Sequence, residues 1–384
     1  MTRSRSALFF TVYLLYFLSF WMVLAYLPLV LKAYHFSDGQ IGFAIGLNSL
    51  ASLILVLPFG VFSDYFSAKR TLVLATAFYA TYFVMLIMFQ DFVRICLAMI
   101  LGGVGAATIR VVLMSLYLKL IEPSGRGKKV AFLQLGGYLG FAVGPLIGGQ
   151  VYAALGAPAM IKVALGLSAG IFVSTLFLKD APPVVFTFKD YNRDIRNPDA
   201  LFLMAVVFVL GTHFGAEQTS ISLFMQHNVG LSKQEIGMVF FGLGTWMALL
   251  VPFAGVVADR RRQVFGLLLI GLLISSCFQV ITVFAYSFWS LLAIRMAHTA
   301  GDTLCILEAD VLTARFFPSS RLGGNSGLVF FVRTLAIFVF AAVSGWLNQH
   351  WGYKMPFIVN GSMVFALASI AFIYRATSRA GSRP

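Results

Sequence analysis

Gly60-Val61-Phe62-Ser63-Asp64-Tyr65-Phe66-Ser67-Ala68-Lys69-Arg70 is a charged turn between two apolar runs, and its skeleton returns 195 residues later as Gly255-Val256-Val257-Ala258-Asp259-Arg260. The same offset carries Ser37 onto Ser232 and Ile41-Gly42 onto Ile236-Gly237. Six identities at one spacing, each at the same place relative to its flanking apolar runs, mark an internal repeat of two halves.

Outward from these turns the chain is a succession of apolar runs. It is 60% hydrophobic and 11% charged over 384 residues, whereas a soluble domain is about 25% charged. Twelve runs reach the roughly 20 residues a bilayer-spanning helix needs: 7–31, 40–62, 71–90, 93–120, 129–153, 159–178, 200–226, 235–257, 264–285, 287–316, 325–346 and 356–375. The first, behind Arg3 and Arg5, exceeds the roughly 7–15 residues of a signal-peptide core, so it reads as a span. The expected fold is an all-α membrane protein of twelve transmembrane helices. They form two pseudo-symmetric six-helix bundles, residues 1–178 and 200–384, joined by a polar linker at 179–199 that carries Pro182-Pro183.

The net charge of +14 suggests a nucleic-acid partner until the charges are placed. Of the 28 Lys and Arg residues, five (Lys32, Arg94, Lys162, Lys233, Lys354) fall on one side of the spans and three (Arg110, Arg295, Arg333) within them; the remaining 20 fall on the other side. Basic loops stay in the cytoplasm. The bias therefore puts both termini and the linker inside, with no nucleic-acid surface. Trp289, Trp346 and Trp351 land at the outer interface, where indole rings anchor. Cys96, Cys277 and Cys305 sit in apolar segments, with no disulfide framework and no metal-ligand spacing, so no metal is expected.

The turn at Gly60, Asp64, Lys69 and Arg70 resembles the loop signature of the major facilitator superfamily, a glycine, an acid and a basic pair at fixed spacing; Tyr65 and Ser67 depart from it. Gly255, Asp259 and Arg260 keep it in the second half. The fifth span reads Gly140-x3-Gly144-Pro145-x2-Gly148-Gly149, similar to the motif of the superfamily's proton-driven antiporters, and Gly103-Val104-Gly105 is similar to its fourth-span motif. The resemblance covers nearly the whole chain. It implies a twelve-helix bacterial transporter of the drug/proton antiporter type, in which spans 1, 4, 7 and 10 line a central cavity. One departure stands out: where the fourth-span motif carries an arginine, this chain has Met99. Aligning Gly105 with Gly301 puts Arg295 at the equivalent position in the second half, so the arginine's work is expected from Arg295 or Arg110.

Independently of any resemblance, the acids of the repeated turns can pair with neighbouring bases or cap a helix in one conformation and release it in another. Gly136, Gly140, Gly144 and Gly148 recur every four residues, a stripe that admits another backbone closely. Ionisable residues inside a membrane cost at least about 2.5–3.5 kcal/mol each and mark function by default. Arg110 stands on the fourth span. His213 and Glu217 share a face of the seventh, and Arg295, His298 and Asp302 share a face of the tenth. These six are the candidate substrate and proton pathway, with Asp302 the first candidate for proton carrier and Glu217 the second. Glu308, Asp310 and Arg333, near the cytoplasmic ends of spans 10 and 11, are candidates for a structural or gating salt bridge.

The reading that follows is a secondary active transporter of small organic solutes in a bacterial inner membrane. It acts as a monomer, exporting amphipathic compounds against a proton gradient. Two alternatives stay open: uptake or exchange of an organic anion, favoured by Arg110 and Arg295, and a non-transporting membrane sensor. No nucleophile–base set or phosphate loop marks an enzyme or an ATP-driven pump, and no cofactor is expected.

Overall fold

The computed structural model describes the backbone of residues 3–65, 67–121, 126–181, 196–260, 264–317 and 322–380; within these, the side chains of 3–5, 55–65, 126–128, 131, 255–260, 264, 314, 322–326 and 376–380 are not described. The described residues fold into helices, with no strand among them. The first span is two pieces, α1 (Arg3–Leu24) and α2 (Leu27–Ala33). They break before Pro28, because a proline near a helix start has no amide to give up. Then come α3 (Asp38–Tyr65), α4 (Ala68–Met88), α5 (Phe92–Leu120), α6 (Arg126–Leu155), α7 (Ala157–Leu176), α8 (Pro198–His227), α9 (Lys233–Arg260), α10 (Val264–Ile281) with a 3₁₀ turn over Thr282–Phe284, α11 (Phe288–Phe316), α12 (Leu322–Trp351) and α13 (Met355–Ala380). Each of the twelve expected spans has its helix. Ten of the described helices are long and apolar enough to cross a membrane. The expected linker falls largely on 182–195, outside the described residues.

Two compact units emerge, Met1–Thr187 with Leu231–Thr245, and Phe188–Gly230 with Trp246–Pro384. Within the first, α1 packs on α6 and α7, and α4 on α5 and α7. Within the second, α8 packs on α12 and α13, and α10 on α11 and α13. These are the same pairings six spans later, so the repeat of the sequence is a repeat of packing. Large apolar side chains such as Phe177, Phe253, Trp289 and Ile370 remain exposed, as a lipid-facing surface requires. Trp289, Trp346 and Trp351 are among the exposed residues.

The glycine stripe of the fifth span presses on the first. A Cβ on Gly140 would stand 2.4 Å from the Phe17 Cβ, and one on Gly144 2.7 Å from the Leu18 carbonyl oxygen. Gly149 faces the other way, where a Cβ would meet both the Tyr26 hydroxyl and the Lys233 carbonyl oxygen at 2.4 Å. The Tyr26 hydroxyl lies 2.9 Å from the carbonyls of Pro145 and Lys233 and ties α6 to the start of α9 within the first unit. Overpacking such a contact costs about 1–3 kcal/mol. Gly140→Leu is therefore expected to lower the unfolding midpoint of the purified protein in detergent, whereas Gly166→Leu, which meets nothing within 4 Å, should not. Equal midpoints for the two variants would remove the stripe from the packing account.

Candidate functional site

In the second unit, five of the six candidate pathway residues converge. α8 presents His213 and Glu217 one turn apart, and α11 presents Arg295, His298 and Asp302. α10 crosses α11 so closely at Gly271 and Gly301 that a Cβ on Gly301 would lie 2.5 Å from the Ser275 amide nitrogen. On the other flank Gly211 and Gly215 seat α8 against α12; their Cβ atoms would fall 2.5 Å and 2.6 Å from the Arg333 and Ile337 carbonyl oxygens. Small residues at these crossings let α10 approach α11, and α8 approach α12, closely.

The polar atoms meet at one point. The Nε2 atoms of His213 and His298 are 3.0 Å apart. His298 Nε2 lies 3.1 Å from both Glu217 Oε1 and Asp302 Oδ2, and His213 Nε2 lies 3.5 Å from the same two oxygens. Arg295 donates to Glu217 Oε1 and, at 3.1 Å, to Gln279 Oε1. Ser275 serves twice: its hydroxyl donates to Asp302 Oδ1 at 2.6 Å, and its carbonyl accepts from His298 Nδ1 at 2.8 Å. His298 is 0% exposed, His213 1%, Arg295 4% and Asp302 7%. Burial at this level makes each charge dependent on its partners. Two carboxylates face one guanidinium, so with neutral imidazoles the cluster carries one uncompensated negative charge.

Ser275 and Gln279 were not singled out by the sequence. Their signal was present, two polar residues one turn apart on the ninth span and hence on one face. Polar pairs elsewhere tie the unit together: Ser220 with Asn348 at 3.0 Å and Asn360 with Thr212 at 3.0 Å.

The sixth pathway residue, Arg110, lies in the first unit. It is exposed, with its guanidinium 6.0 Å from the centre of the Phe17 ring. Along the same stretch of α1 the Phe17 ring meets Tyr13 at a tilt and Tyr16 edge-on, Tyr16 stacks on Phe20, and the Tyr13 hydroxyl donates to Gln134 at 3.2 Å. Met99, at the position of the absent motif arginine, is fully buried, and its carbonyl accepts from Asn48 at 3.0 Å.

Of the gating turns, the side chains of Gly60, Asp64, Gly255, Asp259 and Arg260 lie outside the described residues. The backbone amides of Lys69 and Arg70 start α4. Arg70 donates to Ser67 at 3.0 Å and Lys69 to Asp180 at 3.2 Å, and the Ser67 hydroxyl donates to the other Asp180 oxygen. Ser67, one of the two departures from the loop signature, is thus the N-cap, and Asp180 reinforces it at the dipole's positive end. Glu308 is fully buried, and its two carboxylate oxygens have no hydrogen-bond partner among the described residues. Asp310 is exposed, and Arg333 lies 5.2 Å over the Phe330 ring.

Comparison with known proteins gives this arrangement a context. Residues 9–216 and 203–384 each match the family model described as Major Facilitator Superfamily. An uncharacterised transporter of that type from Methanocaldococcus jannaschii is 23% identical, over 87% of this chain and 88% of its own length. The quinolone resistance protein NorA of Staphylococcus aureus is 23% identical over 78% of this chain and 79% of its own. Among solved structures, the human organic anion transporter MFSD10 aligns with a TM-score of 0.68 at 18% identity, covering 95% of this chain and 98% of that one.

Proposed function

This chain belongs to the major facilitator superfamily, a family of multi-pass membrane transporters, and from that membership we propose that it is a secondary active transporter exporting small amphipathic organic solutes by alternating access, driven by the inward movement of protons. The observation that carries the coupling half of this reading is the buried cluster of His213, Glu217, Arg295, His298 and Asp302, two carboxylates against one guanidinium, which with neutral imidazoles leaves one negative charge uncompensated. An entering cation offsets that charge, and its departure makes the arrangement costly again. A site whose stability depends on cation occupancy biases two conformations, as coupling demands. The direction of transport and the proton rest on the fifth-span motif and on the quinolone resistance relative.

The test is flux in proteoliposomes across a panel of amphipathic cations, neutral compounds and organic anions, under imposed pH and sodium gradients. The expected result is accumulation of an amphipathic compound driven by the pH gradient. Equilibration without accumulation under either gradient would remove the active-transport reading. The proposed orientation puts both termini in the cytoplasm, so cysteines placed at Lys128 and Arg261 should react with impermeant reagents only from that side; labelling from outside intact cells would reverse the topology.

A second reading has its own observation. Arg110 stands exposed above an aromatic ring, and a guanidinium holds a carboxylate with two parallel hydrogen bonds. If the solute is an organic anion, Arg110→Lys should lose most of the affinity, because an ammonium cannot reproduce the fork. Unchanged affinity would count against anion recognition at this residue.

A further inference from the structure

Two imidazole Nε2 atoms facing each other at 3.0 Å cannot both present lone pairs without repulsion; a proton or a cation has to lie between them. The surrounding atoms say which cations fit. Five of the six distances among His213 Nε2, Glu217 Oε1, His298 Nε2 and Asp302 Oδ2 are 3.0, 3.1, 3.1, 3.5 and 3.5 Å, and the sixth is no more than 4.8 Å. A tetrahedral site with bonds of about 2.0–2.2 Å has ligand–ligand edges of about 3.3–3.6 Å. The four atoms form a distorted version of those corners, with three edges slightly short and the Glu217–Asp302 edge open to as much as 4.8 Å, and they supply two nitrogen and two oxygen donors.

The surroundings are those of a ligand shell held from behind. A metal-binding histidine ordinarily donates its other nitrogen to a carbonyl or carboxylate, and ligating carboxylates are themselves hydrogen-bonded. His298 Nδ1 donates to the Ser275 carbonyl, which leaves Nε2 to face the cluster. The Ser275 hydroxyl holds Asp302 Oδ1 and frees Oδ2, while Arg295 donates to Glu217 Oε1, the same oxygen that faces the imidazoles, so an ion bound here shares that oxygen with the guanidinium. Among the described residues, His213, at 1% exposure, has no partner for Nδ1, and its polar contacts there are made through Nε2. Magnesium and calcium take oxygen ligands; imidazole with carboxylate suits first-row transition ions.

We propose that His213, Glu217, His298 and Asp302 form a four-coordinate site for a divalent transition-metal ion of the Zn²⁺ type, and that its occupancy blocks flux of the organic solute. The binding stands on geometry alone; the effect on flux rests on the transport reading above. Arg295 cancels one carboxylate charge, which keeps the site exchangeable rather than a permanent structural centre.

The test uses the full chain without a histidine tag, purified in detergent, stripped with chelator and titrated with Co²⁺. One ion per chain should give the intense visible absorption of four-coordinate cobalt, and Zn²⁺ should displace it. Ser275→Ala, which leaves all four ligands in place, should weaken binding by about 10–100-fold, and His298→Ala by at least as much. No four-coordinate absorption in the parent protein, or undiminished affinity in both variants, overturns the site; a poorly folded His298→Ala leaves Ser275→Ala and the parent titration to decide. In proteoliposomes, Zn²⁺ should suppress gradient-driven flux and chelator restore it. Binding without suppression overturns the blocking role and leaves the site. Binding in a protein that accumulates no solute overturns the transport reading instead.

Discussion

Asp302→Asn is expected to abolish accumulation of solute against its gradient while sparing exchange of solute for solute. Asp302 is one of two carboxylates in a cluster that holds a single guanidinium. The substitution keeps the side chain's shape and its contact with Ser275 but removes the charge that an entering cation offsets. One proton per exported solute ties the solute gradient to the pH gradient, about 1.36 kcal/mol or tenfold for each unit imposed. The variant's accumulation ratio should therefore fall from about tenfold per unit to equality, a loss of the whole driving force. Counterflow, which moves no net cation, should persist in the same vesicles. Glu217→Gln should act in the same direction, since Glu217 is the other carboxylate. If both variants still concentrate solute, the cluster is not the coupling site, and the pathway must be sought elsewhere in the molecule.

Arg295 carries the second large effect, this time on stability. Its guanidinium is 4% exposed and binds Glu217 and Gln279. Removing one partner of a buried pair leaves the other charge uncompensated, at a cost of about 3–5 kcal/mol. Arg295→Leu should lower the unfolding midpoint accordingly, as read by thermal unfolding in detergent. The double variant Glu217→Gln with Arg295→Leu removes both charges and should recover most of that loss. A double variant as unstable as the single one would mean that Arg295 works through packing of its aliphatic stem rather than through Glu217.

The two experiments probe different parts of what the sequence carried. The spans were legible because a bilayer demands length and apolarity, and both are counted along the chain. Breaks within them were harder to see: the first span divides near Pro28, and the ninth ends in a 3₁₀ turn at Thr282–Phe284, since local geometry at helix ends depends on neighbours. The ionisable candidates were legible because charge within a span is rare. Their partners were not, because Ser275 and Gln279 are ordinary polar residues until a neighbouring helix brings them beside a charge. Depth along a helix can be read from rise per residue, but direction around its axis relative to a neighbour cannot. Glu308 and Asp310 show the difference. They lie two residues apart at nearly one depth, yet one is buried, without a hydrogen-bond partner among the described residues, and the other is exposed. Positions two apart on a helix point about 200° from each other.

By itself the sequence determined that this protein lives in a bilayer, that it crosses twelve times in two repeated halves, and that its few intramembrane charges sit on the faces of particular spans. Each of these follows from periodicity, hydropathy and charge counted along one chain. The tertiary structure alone decided that His213, Glu217, Arg295, His298 and Asp302 share one point while Arg110 belongs to the other unit, and that Ser275 holds the shared point from behind. That outcome depends on how each helix is rotated about its axis, which the backbone contacts at Gly211, Gly215, Gly271 and Gly301 fix. A close crossing is a relation between two segments distant in the chain, and no pattern within either segment specifies it.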